Sequence, residues 1–150
     1  MKLSNVPGDI IVTHALGSCL GVAIHDPDAG IGGILHYMLP VSTFNEKKAE
    51  ENPLMFGSTG IPLLFEEAYK LGAKKSALRV VIAGGAQVFG NNTDLFVIGK
   101  RNEVIARKLF WKNNIMIAAE NVGGNIPRTL FLEIGSGTTW ITSKGERIDL

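Results

Sequence analysis

Two apolar runs of strand length, Cys19 to His25 and Gly32 to Leu39, flank the segment Asp26-Pro27-Asp28-Ala29-Gly30. Proline presets one backbone angle, aspartate side chains bond to their own backbone, and glycine accepts positive φ, so the segment reads as a turn. The runs on either side then form an antiparallel hairpin, the one local pairing from which the rest of the fold must be built. If a four-residue loop, Asp26 to Ala29, closes on a His25–Gly30 pair, Cys19 lies directly opposite His36. Opposed residues share a face with Cβ atoms about 5 Å apart, so thiol and imidazole come within reach of each other. A slip of one residue would turn one arm's side chains to the other face.

The pattern around the hairpin predicts strand, strand, strand, helix, strand, helix and then four short strands. Ile10 to Thr13 is the first strand, and a polar loop from Val41 to Pro53 follows the hairpin. Ser58 or Thr59 caps a helix that runs through Leu71, tolerates Pro62 in its first turn and stops at Gly72. Ile61, Leu64, Phe65, Ala68 and Leu71 recur at helical spacing, which gives that helix one face to lay on a sheet. Leu78 to Ile82 is a buried strand. A second helix over Gly99 to Asn113 places Val104, Ile105, Leu109 and either Lys108 or Trp111 inward. Ile115 to Glu120, Thr129 to Ile134, Thr138 to Ser143 and Glu146 to Leu150 are the last strands. The expected fold is α/β, a mixed-sheet α/β sandwich with two main helices.

At 150 residues, 45% of them hydrophobic, the chain is expected to form a single domain over residues 1–150. Fifteen Lys and Arg against 14 Asp and Glu leave no charge field that would attract nucleic acid or an anionic membrane. No run approaches the roughly 18 apolar residues of a membrane span, so no membrane insertion is expected. Met1 to Asn5 is too short and polar for the apolar stretch of a signal peptide, and a lone cysteine makes no internal disulfide, so a cytoplasmic location is expected.

Cys19 is that single cysteine, and it follows Gly17-Ser18. Beside leucine, glycine and valine it has the surroundings of a small buried hydrophobe. The glycines point the other way, because they let backbone approach a substrate and leave amide groups free to face a developing oxyanion. The donors of such a turn would come from the backbone of Gly17, Ser18 and Leu20. Three histidines compete as base. His25 lies near the hairpin turn, about 20 Å along an extended strand from Cys19, and is expected to be solvated. His14 falls just past the first strand, where an exposed loop residue is the ordinary outcome. His36 has the better geometry, against the alternative of a satisfied core histidine. No short Cys or His spacing suits zinc, so no metal or cofactor is expected. Gly84-Gly85 and Gly123-Gly124 fit neither dinucleotide nor P-loop patterns and read as tight turns at strand ends.

The stretch from Thr13 to Pro40, with Thr-x5-Cys, Asp26-Pro27 and Gly-Gly-x-x-His-x-x-Leu-Pro, resembles the CheD family of chemoreceptor glutamine deamidases. Further blocks that resemble it are Ile82-Ala83-Gly84-Gly85-Ala86, Ile98-Gly99-Lys100-Arg101-Asn102, and Glu120-Asn121-Val122-Gly123-Gly124-Asn125 with Arg128, in family order across nearly the whole chain. Phe56 and Ser58 stand where the family commonly has Tyr and Asp. The resemblance implies Cys19 as nucleophile, His36 as general base and Thr13 as the residue that orients the histidine. It also implies Gly84, Gly85, Gly123, Gly124, Asn125 and Arg128 as supporting loops, and a fold related to toxin deamidases of the cytotoxic necrotizing factor type. Methyl-accepting chemoreceptors would be the substrate and a CheC-type phosphatase a possible partner. The enzyme would be a protein-glutamine glutaminase that releases ammonia. A regulatory binding protein acting through CheC-type phosphatase or receptors is the alternative.

Overall fold

The computed structural model describes residues 1–87 and 93–150, with the side chains of residues 93–97 outside the description. Nine strands and three α-helices are ordered along the chain among the described residues. The strands β1 (Lys2–Ser4), β2 (Ile10–Leu16), β3 (Leu20–Asp26) and β4 (Ile31–Tyr37) come first. The helices α1 (Glu46–Glu51) and α2 (Gly57–Leu71) follow, then β5 (Arg79–Gly84) and α3 (Thr93–Lys112). The chain ends with β6 (Ile117–Val122), β7 (Arg128–Glu133), β8 (Thr139–Ser143) and β9 (Glu146–Asp149).

Two sheets form. One has the order β1-β4-β3-β5-β6, antiparallel except for the parallel β5–β6 pair, and the other is the antiparallel set β2-β7-β8-β9. The five-stranded sheet is the middle layer. Leu20, Val22 and Ile24 of β3, with Leu35 and Tyr37 of β4, pack against Ile61, Leu64, Phe65 and Ala68 of α2 and Ala106 and Phe110 of α3. On the other side Ala23, Ile34, Val81 and Ala83 meet Ile11, Leu130, Leu132 and Ile141 of the four-stranded sheet. Each fully buried Leu, Ile or Phe in these layers contributes about 1.5–3 kcal/mol relative to an exposed one. The α/β architecture thus matches the mixed-sheet expectation, and α2 and α3 are its two long helices.

The hairpin register differs from the expected one. Asp26 remains in β3 and pairs with Ile31, so Gly21 lies opposite His36 and Cys19 lies just ahead of the strand. The cause is local. Asp26 Oδ1 accepts the N–H groups of Asp28 and Ala29, and Oδ2 accepts Lys74 N–H, so the turn forms after Asp26. The shift is two residues in partner number, and a shift of two keeps every side chain on its face. Cys19 packs with the cluster between the sheets, and His36 is on that same side of β4.

Other differences have similar physical origins. Lys2–Ser4 pairs with Ile34, Gly33 and Gly32 as an edge strand, which its polar residues did not signal. The polar loop contains α1, a six-residue helix whose Asn45 side chain accepts Lys48 N–H. The N-cap of α2 is Phe56, with no side-chain cap; Ser58 instead accepts Ser42 N–H. Gly72 ends α2 in the left-handed conformation, as its position suggested. On α3 the buried stripe is Asn102, Glu103, Ala106 and Phe110, with Ile105 and Leu109 partly covered. Val104, Lys108 and Trp111 are exposed, so the inward face is rotated from the expected one, which counted Val104 and passed over the polar pair at 102 and 103.

Candidate active site

Thr13 sits on β2 with its side chain between the sheets, where Thr13 Oγ1 and His36 Nδ1 lie 2.9 Å apart. This bond joins the four-stranded sheet to the five-stranded one. When the Nδ1–H donates to Oγ1, Nε2 keeps its lone pair and is free to act as a base. Beyond Thr13 the β2–β7 register slips: Thr13 pairs with Leu130 and Leu16 with Arg128, with His14 and Ala15 in the bulge between. Ala15 takes φ 58°, a left-handed conformation costly for a residue with a Cβ. The bulge interrupts the ladder beside Thr13 and bends β2 before it leaves the sheet at Leu16.

That crossing is Gly17-Ser18-Cys19, and each of its carbonyls is held by a different partner. Gly17 C=O accepts Ala86 N–H at 2.7 Å, and Cys19 C=O accepts Gly85 N–H at 2.8 Å. Ser18 C=O accepts from Asn102 Nδ2 at 3.0 Å. The N–H of Gly17 donates to Ala15 C=O, so Gly17 shapes the turn and is not a spare donor. Among the described residues the N–H groups of Ser18 and Cys19 have no acceptor. Leu20 is already the first residue of β3, fully buried in the helix-side core.

The glycine turns at the ends of β5 and β6 meet the Cys19 crossing and each other through backbone. Gly84 has φ 115°, and a Cβ there would collide with the Cys19 carbonyl oxygen, so only glycine lets β5 end this close to the turn. Gly123 N–H donates to Gly84 C=O at 2.9 Å, and Gln87 N–H to Gly124 C=O at 2.7 Å. Arg128 ties these turns together, donating through Nη1 to Gly84 C=O at 2.7 Å and through Nη2 to Gly123 C=O at 2.8 Å. Its buried Nε has no partner among the described residues, and burial pulls the guanidinium below its ordinary pKa. Asn125 is exposed, and no hydrogen bond ties it to this network among the described residues.

Electrostatics favour a neutral pair at rest. Burial pushes the Cys19 thiol above its usual pKa, against the pull of its own backbone N–H toward the thiolate. Burial also holds the His36 imidazole below its usual value. Both side chains are half-buried, and no hydrogen bond joins them among the described residues. His25 is not solvated as expected. It is 4% exposed, and its Nε2 lies 2.8 Å from Ile134 C=O, a partner 109 residues away that proximity to a turn could not reveal. His14 is exposed, as expected, although it belongs to β2. Phe56 is fully buried at the start of α2, away from solvent. No group of three or more His, Cys, Asp or Glu able to hold a metal occurs among the described residues.

A family model described as CheD chemotactic sensory transduction matches residues 38–143. The chain belongs to the CheD family. That match begins just after His36, but similarity to curated CheD relatives extends over the whole site. A Syntrophus aciditrophicus protein named "Probable chemoreceptor glutamine deamidase CheD 1" is 51% identical over 96% of this chain and 89% of its own length. A "Probable chemoreceptor glutamine deamidase CheD" from Solibacter usitatus is 46% identical over 99% of this chain and 88% of its own. A CheD relative of the same name from Clostridium botulinum is 39% identical over 91% and 85%. No helix among the described residues is long and apolar enough to cross a membrane.

Proposed function

We propose that this CheD-family protein hydrolyses the side-chain amide of glutamine residues on methyl-accepting chemoreceptors, leaving glutamate, releasing ammonia and tuning chemotaxis signalling. The observation that carries the reading is the Thr13–His36 bond at 2.9 Å beside a cysteine turn whose carbonyls are all engaged and whose Ser18 and Cys19 N–H groups have no backbone acceptor among the described residues. The names of the relatives supply the substrate. A cytoplasmic location follows from that substrate, and kinship with the cytotoxic necrotizing factor deamidases rests on the motif resemblance alone.

The chemistry starts from a neutral thiol and a neutral imidazole, because burial disfavours the charged form of each. Cys19 Sγ attacks the amide carbonyl carbon as His36 Nε2 takes the thiol proton. The oxyanion that forms is met by the Cys19 and Ser18 N–H groups. The C–N bond then breaks, and His36 returns the proton to the leaving nitrogen, which departs as ammonia. Water, deprotonated by His36, attacks the thioester, and the C–S bond breaks to give the carboxylate and restore the thiol. Thr13 holds the imidazole in one tautomer through both halves. Half-buried Cys19 and His36 suit a substrate that meets them at the protein surface, as a receptor helix would.

The alternative is a regulatory protein that binds receptors or a CheC-type phosphatase without chemistry. Cys19→Ala separates the two. Ammonia release on incubation with a receptor cytoplasmic fragment falls to background in this variant, while capture of the same fragment is retained. Undiminished ammonia release by Cys19→Ala contradicts the thiol mechanism; binding with no ammonia release by the unaltered protein favours the regulatory reading.

A further inference from the structure

Asn102 is fully buried on α3, in the interior of a helix. Asparagine is a poor helix former, and its buried amide needs hydrogen bonds on both sides. Among the described residues the demand is met on one side only. Nδ2 donates to Ser18 C=O at 3.0 Å and to Met38 C=O at 2.9 Å, while the buried Oδ1 has no partner among those residues. An apolar side chain of similar volume would avoid that unmet acceptor, so packing stability alone does not account for the residue.

The two acceptors lie on the two segments that the reaction must hold together. Ser18 immediately precedes the nucleophile, and Met38 lies two residues beyond His36, just past the end of β4. Tyr37, between them on the same strand, donates its hydroxyl to the Asn102 backbone C=O at 2.6 Å, which fixes the height of this helix turn over the strand end. A trans peptide points its C=O and N–H in opposite directions. With Ser18 C=O held toward α3, the Cys19 N–H of the same peptide unit is thrown away from the helix. There it has no acceptor among the described residues and faces its own sulfur.

We infer that Asn102 is a positioning residue for deamidation: by donating to Ser18 C=O and Met38 C=O at once, it sets the spacing of the Cys19 turn from the His36 strand and aims Cys19 N–H at the oxyanion. The inference rests on the deamidase reading for its reaction, but the orientation of the turn has a consequence without substrate. An N–H facing Sγ favours the thiolate, so the turn also sets how readily Cys19 is alkylated.

The test uses Asn102→Leu, which keeps volume and removes the donors, and Asn102→Ala, which leaves room in case leucine does not fit. Thermal unfolding, kcat and KM on a receptor fragment, and the rate of Cys19 alkylation by iodoacetamide at neutral pH are measured for each folded variant. The expected result is a loss in kcat of about 10- to 100-fold, the scale of a misaimed oxyanion donor, with KM within about twofold. Alkylation of Cys19 slows several-fold in the same variants. Unchanged kcat and unchanged alkylation in a folded variant with a lower melting temperature would reduce Asn102 to a structural residue and overturn the inference. If the unaltered protein fails to deamidate, the functional reading falls, and alkylation alone decides: slowed alkylation keeps the positioning role for the thiol, and unchanged alkylation removes it.

Discussion

His25 and His36 sit on the two arms of one hairpin, both facing the space between the sheets, near opposite ends of it. The same residue type on the same face meets different surroundings at the two ends. His25 is 4% exposed, its Nε2 is taken by Ile134 C=O, and the backbone of Gly137 presses on its ring so closely that a Cβ there would collide with Nδ1. His36 is half-buried, one nitrogen is oriented by Thr13, and the other has no partner among the described residues. The difference lies in what closes each end. The β7–β8 turn caps the His25 end with backbone. The β2 bulge and the Gly17-Ser18-Cys19 crossing leave the His36 end open and bring a thiol to it.

Substitution of the two histidines should break along this line. His36→Ala is expected to lower kcat by about 10² to 10⁴, the usual contribution of a general base, with little change in melting temperature. His25→Ala should do the reverse. It leaves Ile134 C=O without its partner and opens a cavity, at a cost of roughly 1–3 kcal/mol in denaturant unfolding, while turnover per folded molecule persists. Loss of activity in a folded His25→Ala protein would show that the two ends are not functionally distinct.

A smaller effect is expected at Thr13, whose proposed part is to position His36. Thr13→Ala should lower kcat about tenfold with KM nearly unchanged, and Thr13→Ser, which keeps the hydroxyl, should recover most of it. Equal turnover in Thr13→Ala and the unaltered protein would leave Cys19 and His36 as the whole apparatus.

The mildest contrast is in pH. Burial lowers the His36 pKa from its ordinary 6.5, so the neutral base persists below that pH and the acid limb of kcat/KM should fall below 6.5. The same shift acts on stability. The folded protein binds this proton less readily than the unfolded chain, so the contribution from neutral His36 is complete above 6.5 and is lost as pH falls through the lowered pKa. An acid limb above 7, or one unaltered in residual activity of His36→Ala, would remove His36 as the titrating base.

The hairpin was legible because Pro27 and Gly30 punctuate two apolar runs, and the long helices because Leu64, Phe65 and Ala68 recur at helical spacing and Gly72 stops α2. The register was not, because Asp26 bonds to Lys74, a residue 48 positions away, as well as to its own turn. Parity rescued the site: a slip of two in partner number left Cys19 and His36 on one side of the sheet. Thr13, Cys19 and His36 could be named from motif resemblance, since they fall within one short stretch. Asn102 was quoted in that resemblance without a role, because its partners at Ser18 and Met38 lie 84 and 64 residues away. Polar residues inside a helix stripe at Asn102 and Glu103 were the available signal, and a purely apolar reading of α3 passed over them.

The central claim is that the open end of the sandwich is a thiol deamidase site, and the masses of receptor glutamines test it most directly. A chemoreceptor cytoplasmic fragment is incubated with the unaltered protein, with Cys19→Ala and with His25→Ala, then digested and analysed by mass spectrometry. Hydrolysis of an amide through a thioester replaces NH2 by OH, so particular glutamines should gain about 1 Da with the unaltered protein and with His25→Ala, and none with Cys19→Ala. No gain with the unaltered protein, or an equal gain with Cys19→Ala, would contradict the account.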